Sequence, residues 1–171
     1  KKAERKMFLT AVKGALETAT LTSGEVDLYL GGDLLNQCIA TNYTLRELEI
    51  PFIGLYGACS TMAESLVVGA TLVDGGFAQN LVCATTSHFC TAERQYRYPL
   101  EYGGQRPLTS QWTVTGAGAT VLTNKPGSPH ISYATVGKVV DLGVSDANNM
   151  GAAMAPAACD TLLAFFEDTG F

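Results

Sequence analysis

The chain has 171 residues, 47% of them hydrophobic, enough to bury the core of one ordinary domain or part of a larger one and too apolar for a disordered tail. Eleven Lys and Arg against 16 Asp and Glu give a formal charge of -5, which argues against nonspecific binding to nucleic acid or to an anionic membrane surface. No apolar run approaches the roughly 18 residues that cross a bilayer, and Lys1-Lys2 leads into an amphipathic pattern rather than a signal-peptide core, so the sequence predicts a soluble or peripheral protein.

In chain order, Phe8, Val12, Ala15, Leu16 and Ala19 form one apolar stripe and predict a helix from Glu4 to Ala19. Gly24 releases the chain into a strand, Val26 to Leu30, which Gly31-Gly32-Asp33 closes. Leu35, Cys38, Ile39, Asn42 and Leu45 predict a second helix ending near Leu48, before Pro51 and a strand over Phe52 to Tyr56. Met62, Leu66, Val67, Ala70 and Val73 predict a third helix from Thr61 to Gly75-Gly76, followed by the strand Leu81 to Thr85. Strands alternating with helices at this spacing imply parallel pairing.

The regularity breaks over Thr91 to Trp112, a polar and aromatic stretch longer than ordinary connections and so read as a functional or interface loop. Gly116 to Thr123 predicts a closely packed strand. Asn124 to Pro129 reads as a linker before a strand-like Ile131 to Val140, and a last helix spans Pro156 to Asp168.

The five cysteines, Cys38, Cys59, Cys83, Cys90 and Cys159, form an odd set without C-x-x-C spacing, which suits neither a disulfide framework nor a zinc site and points to a reducing compartment. Four of them read as small buried residues. Cys59 differs, because Gly57-Ala58-Cys59-Ser60-Thr61-Met62-Ala63-Glu64 brings strand, glycine turn and helix start together, with Thr61 and Glu64 at capping-box spacing. A thiol there meets free amides and the positive end of a helix dipole, which favour a thiolate or a bound carboxylate. It also lies at the carboxyl end of a strand, where open α/β sheets bind ligands.

The run Tyr56 to Glu64 resembles the cysteine segment of the thiolase and ketoacyl synthase superfamily, in which the matching cysteine carries the acyl group. Closer still, Thr86-Ser87-His88-Phe89-Cys90-Thr91-Ala92-Glu93-Arg94-Gln95-Tyr96-Arg97, the stretch Pro107 to Ala119, and Asp146 to Thr161 with its core Met150 to Ala158 resemble the stage V sporulation protein AD family. The likeness covers nearly the whole chain.

This resemblance implies an α/β thiolase-like fold built on a mainly parallel mixed sheet, with residues 1–125 as a first half lacking its first strand and 126–171 as the beginning of a second half. It implies binding of dipicolinic acid, free or as its calcium chelate, in a spore inner-membrane machinery. Cys59, the Ser60 and Thr61 amides, and His88 at the end of the following strand are the implied ligand-binding residues. A core-packing role for His88 is the competing reading. Arg94, Arg97 and Arg106, interleaved with Tyr96, Tyr98, Tyr102 and Trp112, suit carboxylates and rings, but such residues are also enriched at dimer interfaces, which is the stronger reading.

No cofactor and no metal site are expected, calcium entering only as a companion of the ligand. The implied partners are other stage V sporulation A proteins and a second copy of the chain, with membrane association through partners alone. The alternative is a condensing or thiolytic acyltransferase with Cys59 as nucleophile, for which no catalytic partner is visible in the sequence.

Overall fold

The computed structural model describes residues 2–96, 113–127, 129–146 and 149–171, without the side chains of residues 93–96. It divides into two compact units, Lys1–Pro126 and Gly127–Phe171.

In the first unit, helix α1 (Lys2–Thr18) precedes strand β1 (Leu28–Asp33), helix α2 (Ile39–Leu48) and strand β2 (Phe52–Gly54). A 3-10 turn over Ala58–Ser60 runs into helix α3 (Thr61–Asp74), followed by β3 (Asn80–Ser87), α4 (Phe89–Tyr96) and β4 (Gly116–Thr123). The sheet order is β2-β1-β3-β4, parallel through its first three strands and antiparallel at β4. The first three strands pair in parallel, as the alternation of strands and helices predicts, and the whole is the mainly parallel mixed sheet that the resemblance implies.

The pleat sends alternate residues to opposite faces, and each face has its own helices. Tyr29, Val82 and Ala84 pack with Phe8, Val12 and Leu16 of α1 and Leu45 of α2. Leu30, Leu81 and Cys83 point the other way and pack with Met62, Leu66, Leu72 and Val73 of α3. The apolar stripe of α1 is therefore a core stripe, whereas α3 buries Thr61, Ser65 and Gly69 fully and packs Met62, Leu66 and Val73 of its predicted stripe half-buried on the other side of the sheet. At the far end of the strands, Asp27 ties the starts of β1 and β3 by accepting from the Gln79 and Asn80 amides at 2.8 and 3.0 Å.

Several elements depart from the sequence expectation. The predicted stop at Gly31-Gly32-Asp33 lies inside β1, because Gly31 pairs with Ala84 and its backbone, at φ +140°, comes so close to the Ala84 carbonyl that any Cβ would collide with it. Part of the predicted loop is helical, since residues 89–96 form α4; the remainder of that stretch, including Arg97, Tyr98, Tyr102, Arg106 and Trp112, lies outside the described residues. The strand-like Ile131 to Val140 forms no strand and has no paired neighbour among the described residues.

The second unit contains that segment and helix α5 (Met150–Thr169), which begins six residues before the predicted Pro156. The Asn149 side chain accepts the Ala152 amide at 3.2 Å and caps it. Tyr133 packs edge-on to Phe165, and Lys138 pairs with Asp160 at 3.2 Å. No residue of α5 is fully buried.

Candidate functional site

The carboxyl ends of the three parallel strands converge on one rim. β1 lies between β2 and β3, so the chain leaves β1 toward one side to form β2 and returns across it to form β3; this reversal is where α/β sheets open a crevice. A cavity of about 290 Å³ lies there. Ala58, Cys59 and Met62 form one wall, Thr85, Thr86 and Ser87 of β3 a second, and Gly116 to Gly118 of β4 a third.

The wall between β3 and β4 is fixed by side chains bonding across to main chain. The Thr86 hydroxyl donates to the Gly116 carbonyl at 3.2 Å, the Ser87 hydroxyl donates to the Val114 carbonyl, and the Phe89 amide donates to the Thr115 hydroxyl at 2.9 Å. The glycines of β4 leave no side chain over this end of the sheet.

The Cys59 wall is a tight turn. The Ser60 amide donates to the Gly57 carbonyl at 3.0 Å and the Thr61 amide donates to the Ala58 carbonyl. Ala58 sits at φ +50°, a conformation that costs a residue with a Cβ energy and is found where the surroundings enforce it. Thr61, 1% exposed, locks the turn from inside, accepting the Gly57 amide and donating to the Ala58 carbonyl, both at 3.0 Å. The Cys59 thiol is left exposed at the cavity.

This geometry changes the sequence account in two respects. The capping box expected of Thr61 and Glu64 does not form: the N-cap of α3 is Ser60, and its side chain makes no cap bond to the helix. The reason is the 3-10 turn, which runs straight into α3. It uses the Ser60 and Thr61 amides internally, so those amides are not the free donors that the sequence suggests.

Of the four implied ligand-binding residues, Cys59 lines the cavity. Ser60 is exposed beside it, Thr61 is buried beneath it, and neither Ser60, Thr61 nor His88 belongs to the lining. His88 precedes α4 as a cap: its carbonyl accepts the Thr91 and Ala92 amides at 3.1 and 3.0 Å, and its ring Nδ1 accepts the Cys90 amide at 3.3 Å. Sequence reasoning does not mark Thr85 as a site residue, and Ala58 and Ser87 stand inside its motifs without a role of their own. The glycine run 116–118 was the signal for the third wall, but its place at this rim follows from the antiparallel register of β4 with β3.

Cys83 lies one β3 pleat away from the cavity-lining Thr85 and is fully buried, its thiol donating to the Ser65 carbonyl at 3.2 Å; burial pushes its pKa up to about 12. It is a packing residue. Among the described residues no group of His, Cys, Asp and Glu has the arrangement to hold a metal ion.

A family model described as stage V sporulation protein AD matches residues 1–171. The chain belongs to the stage V sporulation protein AD family. It is 54% identical to Stage V sporulation protein AD of Bacillus subtilis (strain 168) over 166 residues, 97% of the chain and 49% of that protein, so it spans about half the length of this relative. Its fold is similar to that of 3-oxoacyl-(acyl carrier protein) synthase III from Pseudomonas aeruginosa PAO1, with TM-score 0.62 and 17% identity over 98% of this chain and 56% of that one. The corresponding synthase III from Aquifex aeolicus VF5 matches with TM-score 0.56 and 21% identity, over 70% of this chain and 38% of that one. The fold is thus thiolase-like, and the family ties the chain to sporulation.

Proposed function

We propose that the chain supplies the Cys59 cavity of a dipicolinate-binding component of a spore transport machinery. The observation that carries this reading is the small cavity at the strand ends, lined by a thiol, hydroxyls, glycine backbone and the apolar side chains Leu34, Met62 and Val114. Its volume sits at the lower limit, roughly 300 Å³, of pockets that hold small molecules. A flat aromatic dicarboxylate needs a surface for its ring and donors for its oxygens, and the Thr85 hydroxyl stands on the wall facing Cys59.

The lining offers no Lys, Arg or His among the described residues, so the calcium chelate, which carries its own charge compensation, is the form this cavity suits better. In this reading the protein sits peripherally at the inner spore membrane through other stage V sporulation A proteins and acts as a homodimer. No described helix is long and apolar enough to cross a membrane.

An acyl-transfer reading is favoured by one observation, the exposed Cys59 thiol on a strained turn in a fold similar to that of 3-oxoacyl-(acyl carrier protein) synthases. Calorimetric titration of the full-length protein with dipicolinic acid, with and without calcium, separates the two. Binding that Cys59→Ala weakens supports the transport component. Absence of binding in a folded sample overturns it, and a thioester on Cys59 after incubation with an acyl donor would replace it with the enzyme.

A further inference from the structure

One acceptor in the Cys59 turn has no donor. Glu64 Oε2 is buried and without a hydrogen-bond partner among the described residues. Glu64 stands four residues after Ser60, the N-cap of α3, so the two side chains occupy neighbouring positions on one face of the helix start. Both crowd the same point beside Gly57: a Cβ on that glycine would overlap the Ser60 hydroxyl and come within 2.9 Å of Glu64 Oε2. A side chain at position 57 would therefore have to displace Ser60 and Glu64.

We propose that Glu64 is a positioning residue for Cys59, its free carboxylate oxygen being the second acceptor for the Ser60 hydroxyl. In the described arrangement that hydroxyl donates to the Gly57 carbonyl at 2.8 Å and closes the turn. The same carbonyl already accepts the Ser60 amide, so it remains satisfied when the hydroxyl departs. A buried acceptor left without a donor is disfavoured, and moving the hydroxyl to Glu64 removes that penalty. The Ser60 hydroxyl thus has two acceptors beside the same turn, next to the strained φ of Ala58. Cys59 lies inside this turn, so the choice of acceptor sets how the thiol is presented to the cavity.

The inference deepens the reading of the Cys59 cavity as the working site, but its test involves no dipicolinate. The rate of Cys59 alkylation by iodoacetamide is followed by peptide mass spectrometry in the full-length protein. Glu64→Ala holds the hydroxyl on Gly57 and should slow alkylation at least about threefold, the range in which directly coupled neighbours show their interaction. Glu64→Gln keeps an acceptor oxygen and should stay near the parent rate. In a Ser60→Ala background, Glu64→Ala should have no further effect. If Glu64→Ala does not fold, Glu64→Met keeps the volume without the acceptor and carries the same expectation. Equal slowing in both backgrounds, no slowing, or a Glu64→Gln rate as low as that of Glu64→Ala overturns the proposal. A failed dipicolinate titration would leave this coupling intact, and a failed coupling would leave the titration intact.

Discussion

Cys83 and Cys59 are the same side chain on two sides of one boundary. Cys83 points from the centre of β3 into the packed layer beneath α3, its thiol bonded and its ionisation suppressed by burial. Cys59 stands where α3 begins, on a turn held by Thr61 and left open to a cavity. The difference is one of position along the sheet: the middle of a parallel strand is covered on both faces, whereas its carboxyl end is covered only by whatever the connecting turns supply.

If that division is right, substitutions in the covered region should act on stability and those at the rim on binding. The largest effect is expected at Phe8, fully buried and edge-on to Tyr29 with ring centroids 5.9 Å apart. Phe8→Ala should cost about 3–5 kcal/mol in a urea titration. A loss below about 1 kcal/mol would mean that the α1 layer is not a core.

Asp33 is next, because it ends the central strand and holds the start of α2, accepting the Ala40 amide at 2.6 Å, the Thr41 amide at 2.9 Å and the Thr41 hydroxyl at 2.7 Å. Asp33→Ala should cost about 1–3 kcal/mol by denaturant unfolding, since it leaves buried donors unpaired. Cys59→Ala, at the rim, should leave stability within about 0.5 kcal/mol while weakening dipicolinate binding.

Two titrating groups sharpen the contrast with smaller effects. Burial, and then the nearby Asp33 charge, hold the Glu4 pKa above its ordinary value of 4.5. A carboxyl raised on folding contributes stability fully below pH 4.5 and loses it as the pH climbs through the raised value. Glu4→Gln should therefore raise the melting temperature at pH 7 by a few degrees, about what 1 kcal/mol gives a domain of this size, and flatten its pH dependence above pH 4.5. For Cys83, raised from 9.0 to about 12, the same sign places the loss of stability between pH 9 and 12. Thermal melts across that window should fall less steeply in Cys83→Ala than in the parent.

The sequence carried the layered fold well, because apolar periodicity reports burial: Phe8, Val12 and Leu16 of the α1 stripe and Leu81 to Ala84 of the predicted strand are in the observed core, while α3 buries Thr61, Ser65 and Gly69 more fully than its apolar stripe. It misplaced elements whose boundaries depend on partners far along the chain. Gly31-Gly32 reads locally as a turn, yet Ala84, 53 positions away, makes it strand. Ile131 to Val140 has the composition of a strand and no neighbour to pair with among the described residues. The site was half legible. Cys59 announced itself through strand, glycine and helix start, but whether the Ser60 and Thr61 amides were free depended on the 3-10 turn, and the facing hydroxyls of β3 on a register that no local pattern encodes.

The most direct test of the account is protection of the two thiols by ligand. The full-length protein, titrated with dipicolinic acid in the presence of calcium, is treated with iodoacetamide, and the peptides carrying Cys59 and Cys83 are quantified. Saturable protection of Cys59, with Cys83 unlabelled until the protein unfolds, is the expected result. Unchanged Cys59 labelling at every ligand concentration in a folded sample would contradict the assignment of this cavity to dipicolinate.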